Sequence, residues 1–149
     1  MRFFAVLLML IATPVWGDAL ALVNQARAGA GCGALVVNPQ LQAAAEGHAS
    51  AMAKQNFFSH TGADGSKMQG RIAAQGYSGR KLAENIAAGQ PTAKSVVAGW
   101  LKSAGHKRNM LDCDFNETGL ALVDQPNDKP LAGKSSPYRY YWVQVFGRR

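Results

Sequence analysis

Tyr140-Tyr141-Trp142-Val143-Gln144-Val145-Phe146 is the stretch on which the fold turns. Its aromatic and β-branched residues predict a strand. Successive side chains of a strand point to opposite faces. Tyr141, Val143 and Val145 then line one face, and Tyr140, Trp142 and Phe146 the other. Both faces are apolar, so both must be covered. Gly119-Leu120-Ala121-Leu122-Val123 is a second strand-like run, and neither run alternates cleanly. The segment between them, Asp124 to Pro137, collects Pro, Gly, Asn, Asp and Lys and reads as an exposed hairpin loop.

Upstream of these strands the periodicity is helical. Ala19 to Gly29 places Leu20, Val23 and Ala26 on one stripe, with Gly29 as a stop. Leu35-Val36-Val37 is a short β-type run. Asn38-Pro39 opens the next element, because Pro suits a first helical turn. Leu41, Ala44, Ala45, His48, Ala49 and Met52 recur at three and four residues, which predicts an amphipathic helix from Pro39 to Lys54. Asn56 to Gly65 reads as a loop. Ser66-Lys67-Met68-Gln69 has capping-box spacing and predicts a helix through Gln75. Tyr77 to Gln90 is punctuated by Gly and is expected to be irregular. Thr92 is placed to cap a helix to Ser103, with Val96, Val97, Trp100 and Leu101 facing inward. Helices precede strands with no βαβ alternation, so an antiparallel sheet in an α+β domain is expected. With both sheet faces covered, the architecture is a three-layer α-β-α sandwich with a small antiparallel sheet.

The chain has 149 residues, 48% of them apolar and 17% charged, with a net charge of +7. That length suits one domain, and the composition excludes a disordered chain. Residues 1–17 read as a secretory signal peptide: Arg2 is the basic start, Phe3 to Ala12 the apolar run, and Val15, Trp16 and Gly17 the cleavage region. The run is short of the roughly 20 residues needed to cross a bilayer, and no later stretch is longer. A single domain over 18–149, exported or periplasmic, without a transmembrane anchor, is therefore expected. In an oxidising compartment Cys32 and Cys113, the only two cysteines, have one intramolecular pairing available.

Standard catalytic motifs are missing: there is no G-x-S-x-G, no H-E-x-x-H and no P-loop. Three polar residues look misplaced. His60 lies in Phe58-Ser59-His60-Thr61-Gly62, an aromatic-then-Gly loop. Glu84 lies among Leu82, Ala83, Ile86, Ala87 and Ala88, and His106 follows Ser103-Ala104-Gly105 just past the end of a helix. Two imidazoles and a carboxylate suit a divalent metal or acid–base chemistry; equally, each suits a hydrogen-bonded structural role. His48, on the apolar stripe of its helix, reads as a core histidine, and Trp100 and Trp142 as core residues. No basic-aromatic stripe marks a nucleic-acid partner.

Asn56-Phe57-Phe58-Ser59-His60, Glu84-Asn85-Ile86-Ala87-Ala88-Gly89, Trp100 through Leu111 and Tyr141-Trp142-Val143-Gln144-Val145-Phe146-Gly147 follow one another as in the CAP superfamily. The chain resembles a short bacterial form of these cysteine-rich secretory, antigen 5 and pathogenesis-related-1 (SCP-like) proteins, from Leu22 to Gly147. The resemblance implies an α-β-α sandwich. It also implies a cleft lined by two His and two acidic residues, which holds Zn²⁺ or Mg²⁺ in some members. His60, Glu84 and His106 match three of those positions, with His60 and His106 as the metal ligands. Lys102-Ser103 stands where many eukaryotic members carry a Glu. A hydroxyl is a poorer ligand than a carboxylate, so water or substrate would complete the shell. Ser103, His106 and Asn109 are expected to edge the cleft. The resemblance implies a monomeric binding module for a small apolar or amphipathic ligand or an envelope glycan. The alternatives are a protease-like hydrolase using the His/Glu cleft, with or without a metal, and a purely structural domain.

Overall fold

The computed structural model describes residues 14–149; the basic start and apolar run of the leader segment lie outside them. The elements run in the order α1 (Val15–Gly29), β1 (Val36–Val37), α2 (Pro39–Lys54), α3 (Met68–Ala74), β2 (Lys81–Ala88), α4 (Ala93–Lys102), α5 (Ala104–Met110), β3 (Glu117–Asp124) and β4 (Tyr140–Arg148). One four-stranded sheet has the order β1-β3-β4-β2. β4 pairs antiparallel with both β3 and β2, whereas the two-residue β1 pairs parallel with β3. The sheet is thus mixed, not wholly antiparallel, because β1 reaches it from between two helices and not through a hairpin.

β4 alternates as its residues dictate. Tyr141, Val143 and Val145 pack under α2 with Leu41, Ala45, Ala49 and Met52. Trp142 and Phe146 pack on the opposite face with Ala19, Val23, Val96, Val97 and Trp100 from α1 and α4. Each fully buried side chain of this size stabilises the fold by about 1.5–3 kcal/mol. The α2 layer lies so close to the sheet that a Cβ on Gly119 would collide with the backbone of Leu41 and Gln42.

Local chemistry sets the helix starts. Asn38 Oδ1 accepts the backbone N–H groups of Gln40 and Leu41, with Pro39 at the first helical position. Thr92 and Ser95 form a reciprocal capping box at α4. The expected Ser66 cap is not used. Its backbone N–H is held by Asp64 Oδ1 in a tight turn, so α3 starts at Met68. α1 begins at Val15, upstream of the expected Ala19.

Two further expectations are corrected. The Tyr77–Gln90 segment contains a regular strand, β2, paired with β4 from Lys81↔Arg148 to Ala88↔Tyr141. Ala, Glu and Asn have weak β-propensity, and a long cross-strand pairing overrides it. His106 is not beyond a helix but inside α5, a second short helix that starts again after a break at Ser103.

The Cys32–Cys113 disulfide is formed and ties the end of α1 to the segment after α5. Beside it the fully buried Arg27 donates to the carbonyls of Gly33, Met110, Asp112 and Phe115. Burial lowers the Arg27 pKa, and the four carbonyls compensate for the lost water.

Candidate functional site

The site forms along the free edge of the sheet. β2 has β4 on one side only, and the loop before α3 and helix α5 close over the other. Glu84 and Asn85 are neighbours, so their side chains leave opposite faces of β2. Glu84 serves the α2–α3 layer and Asn85 the α4–α5 layer.

Glu84 is buried, with 3% of its side chain exposed, while 58% of the His60 side chain is exposed. Glu84 Oε1 lies 2.8 Å from His60 Nδ1, and Oε2 lies 2.8 Å from Arg71 Nη2. Arg71 Nη1 also donates to the carbonyls of His60 and Ser66, both at 3.0 Å. Burial would raise the Glu84 pKa. The hydrogen bond from His60 and the charge of Arg71 override it and hold Glu84 below the ordinary carboxylate range. Because Glu84 is ionised and can only accept, His60 Nδ1 carries the proton of this hydrogen bond, and Nε2 is the ring nitrogen left outside it. Beside this pair lies a hollow of about 370 Å³ bounded by Thr61, Lys67, Met68 and Gln69.

Across the edge, His106 lines a second pocket of about 270 Å³ with Phe58, Ile86, Trp100, Ser103 and Tyr138. Burial, and then the facing His60, lower the His106 pKa. Phe58 and Tyr138 pair at 5.8 Å between ring centroids and form an aromatic wall. Ser103 lines this pocket at the break between α4 and α5. Asn109 is half-buried: its Nδ2 donates to Asn85 Oδ1 at 2.9 Å, and Asn85 Nδ2 donates to the His106 carbonyl at 3.1 Å. The structure therefore places His60 and Glu84 on one hollow and Ser103 and His106 on a second, with Asn85 and Asn109 joined by a hydrogen bond.

A family model for the cysteine-rich secretory proteins matches residues 20–146. The chain belongs to the CAP family. Two Bacillus subtilis proteins, the uncharacterized YkwD and the uncharacterized membrane protein YlbC, are 30% and 28% identical to it over 103 residues. The chain spans 40% and 30% of their respective lengths. An extracellular SCP-domain protein from Bacillus anthracis superposes with a TM-score of 0.75 at 25% identity, over 90% of this chain and 40% of that one. An outer surface protein from Borrelia burgdorferi superposes with a TM-score of 0.77 at 20% identity, over 89% of this chain and 91% of its own.

The metal that some CAP proteins hold does not fit the donors of this CAP chain. Among the described residues, no group of three or more His, Cys, Asp or Glu side chains is placed to hold an ion. Both Glu84 oxygens are taken, one of them by a guanidinium, which leaves two imidazoles. A four-coordinate zinc site takes three or four protein ligands. Arg71 supplies the positive charge beside Glu84.

Arg71 and Asn85 are residues of the candidate site that sequence reasoning missed. Arg71 sits in an ordinary amphipathic turn, and nothing near it in the chain announces Glu84. Asn85 left a trace, since two adjacent polar residues inside an apolar strand require two separate partners. His48 is in the core as expected, 1% exposed. Its Nε2–H donates to the Ser59 carbonyl and so steadies the loop that carries His60.

Proposed function

We propose that this chain is an exported CAP-domain binding module whose cleft takes a small amphipathic ligand, the sugar or acyl unit of a cell-envelope molecule. The observation that carries the reading is two pockets of unlike lining, one holding Glu84 and the other Ile86 of the edge strand β2. In one, Glu84 holds the His60 ring by Nδ1 and leaves Nε2 as the polar group for a ligand. In the other, Phe58, Trp100 and Tyr138 wall an apolar pocket. Mostly apolar lining with a few fixed polar groups is the ordinary construction of a ligand site. Export is supported by the leader-like first residues, by the disulfide, and by the extracellular and outer-surface proteins that share the fold.

The test is an NMR titration of the mature chain with an N-acetylglucosamine oligomer and, separately, with decanoate. Shifts of the Trp100 indole and of the His60 and His106 rings are expected with at least one probe. Perturbations confined to other surfaces overturn the reading.

A second reading rests on the 2.8 Å Glu84–His60 pair, which has the geometry of an oriented general base. It makes the cleft hydrolytic, with His60 drawing a proton from water. Hydrolysis of a peptide and ester pool by the purified chain, lost in Glu84→Gln, supports it. Hydrolysis unchanged in Glu84→Gln removes the dyad from the reaction.

A further inference from the structure

The positive charge of this chain is unevenly compensated. Lys81 is paired with Asp112 and Asp114, Arg139 with Asp124, and Arg71 with Glu84. Between Ala93 and Leu111 there is no Asp or Glu, and Lys94, Lys102, Lys107 and Arg108 all lie there. All four are exposed, and among the described residues none enters an ion pair or a side-chain hydrogen bond. They project from α4 and α5, the two helices that also bring Ser103 and His106 to the cleft. A shallow hollow of about 450 Å³ opens between Lys107, Arg108 and Leu111, bordered by Asp112, which Lys81 already neutralises.

We propose that α4 and α5 form a docking surface for an anionic polysaccharide, a chain with repeating carboxylate, phosphate or sulfate groups, and hold it along the wall of the cleft. A single exposed ion pair contributes about 0–1 kcal/mol, too little to retain one small anion. A repeating anion engages several cations at once, and each contact after the first is intramolecular. A membrane surface fits less well, because insertion needs exposed apolar side chains. Among the described residues the exposed large apolar ones are Val15, Val36 and Phe58, none of them on α4 or α5. The surface goes beyond the cleft reading and rests on it only for what becomes of the delivered chain.

The experiment measures binding of fluorescent dextran sulfate to the mature chain at low salt, with uncharged dextran as control. K102Q/K107Q/R108Q is compared with K54Q/R80Q/K134Q, which removes the same charge from exposed sites elsewhere. The first variant is expected to weaken binding at least tenfold and the second less than threefold, with both melting as the parent does. Equal losses reduce the effect to net charge and overturn the proposal, as does equal binding of uncharged dextran. Tighter binding to phosphatidylglycerol vesicles than to dextran sulfate, lost in the first variant, reassigns the surface to a membrane and also overturns it. H60A/H106A separates the two readings. It is expected to keep dextran sulfate binding while losing the small-ligand shifts, so either failure shows without the other.

Discussion

Replacing Arg71 by Met tests the centre of the site most directly. The Arg71 and Glu84 side chains are 13% and 3% exposed, and their 2.8 Å contact is one of two side-chain hydrogen bonds to the Glu84 carboxylate among the described residues. Methionine keeps much of the aliphatic volume and deletes the charge, so Glu84 stays buried with His60 as its single partner. Breaking a buried pair by removing one member costs about 3–5 kcal/mol, because an uncompensated charge remains. His60 persists and the cleft is open, which puts the expected loss near the lower end, about 3 kcal/mol. For roughly 135 ordered residues the unfolding entropy is about 0.3 kcal/mol per kelvin, so the melting temperature should fall by about 10 °C. Adding Glu84→Gln to Arg71→Met removes the stranded charge and should restore part of that loss. The assay is a double-mutant cycle in thermal and urea unfolding at pH 7, with a coupling above about 1 kcal/mol expected. Additive effects, or an Arg71→Met melt within about 2 °C of the parent, refute the claim that Arg71 neutralises Glu84.

Stability should fall in two steps as pH drops. Burial lowers His48 by more than the attraction of Glu84 raises it, and burial with the facing His60 lowers His106. The unfolded chain therefore takes up protons first, and stability starts to decline below about pH 6.5. The contribution of Glu84, whose folded pKa is depressed, is present above about pH 4.3 and disappears as pH falls through that folded value. A urea midpoint that stays flat from pH 7 to pH 5 contradicts the first step. Cys32→Ala/Cys113→Ala opens a closed segment of 81 residues; the chain-entropy estimate is about 4.5 kcal/mol, or about 15 °C of melting temperature. A melt unchanged by that substitution or by reductant shows that Arg27 and its four carbonyls hold this corner alone. Excess Zn²⁺ should move the melt by no more than about 1 °C, since only two imidazoles are available. A larger rise that vanishes in His60→Ala/His106→Ala shows that Glu84 leaves Arg71 for the metal.

What the chain discloses in advance follows from how local each cause is. The faces of β4 are legible because seven consecutive aromatic, β-branched and amide side chains make a strand apolar on both faces, and the packing under α2 and against α4 follows. The cap of α4 is legible for the same reason, since Thr92 and Ser95 lie within one turn. β2 is not, because Ala83-Glu84-Asn85 becomes a strand only through its pairing with β4, more than fifty residues away in the chain. His60, Glu84 and His106 stand out as polar residues in apolar or glycine-rich surroundings. Arg71 and Arg27 do not, since a basic residue on a helix reads as a solvated surface until the buried acceptors it meets are known. Capping-box spacing at Ser66 misleads because Asp64, two residues earlier, competes for the same backbone N–H.

The position of the cleft has its own physical cause. An edge strand exposes a row of unpaired backbone groups, which invites pairing with another chain. On the free side of β2 those groups are met by side chains. Trp100 Nε1 donates to the Ile86 carbonyl at 3.3 Å, and Asn109 Nδ2 approaches the Glu84 carbonyl at 3.5 Å while bonding Asn85 Oδ1 at 2.9 Å. The helices that cover the edge therefore cannot lie flat against it, because indole and amide groups must reach in from the α4–α5 layer. The space left between that layer and the loop carrying Phe58 is the apolar pocket. Protection of the edge and construction of the site are one arrangement: Trp100 both satisfies β2 and walls the apolar pocket, and Asn85 both fills its strand position and holds the His106 carbonyl. A substitution at Trp100 or Asn85 should thus disturb stability and ligand response together. Lys102, Lys107 and Arg108, which touch neither the edge nor the pocket, remain free to vary with the partner.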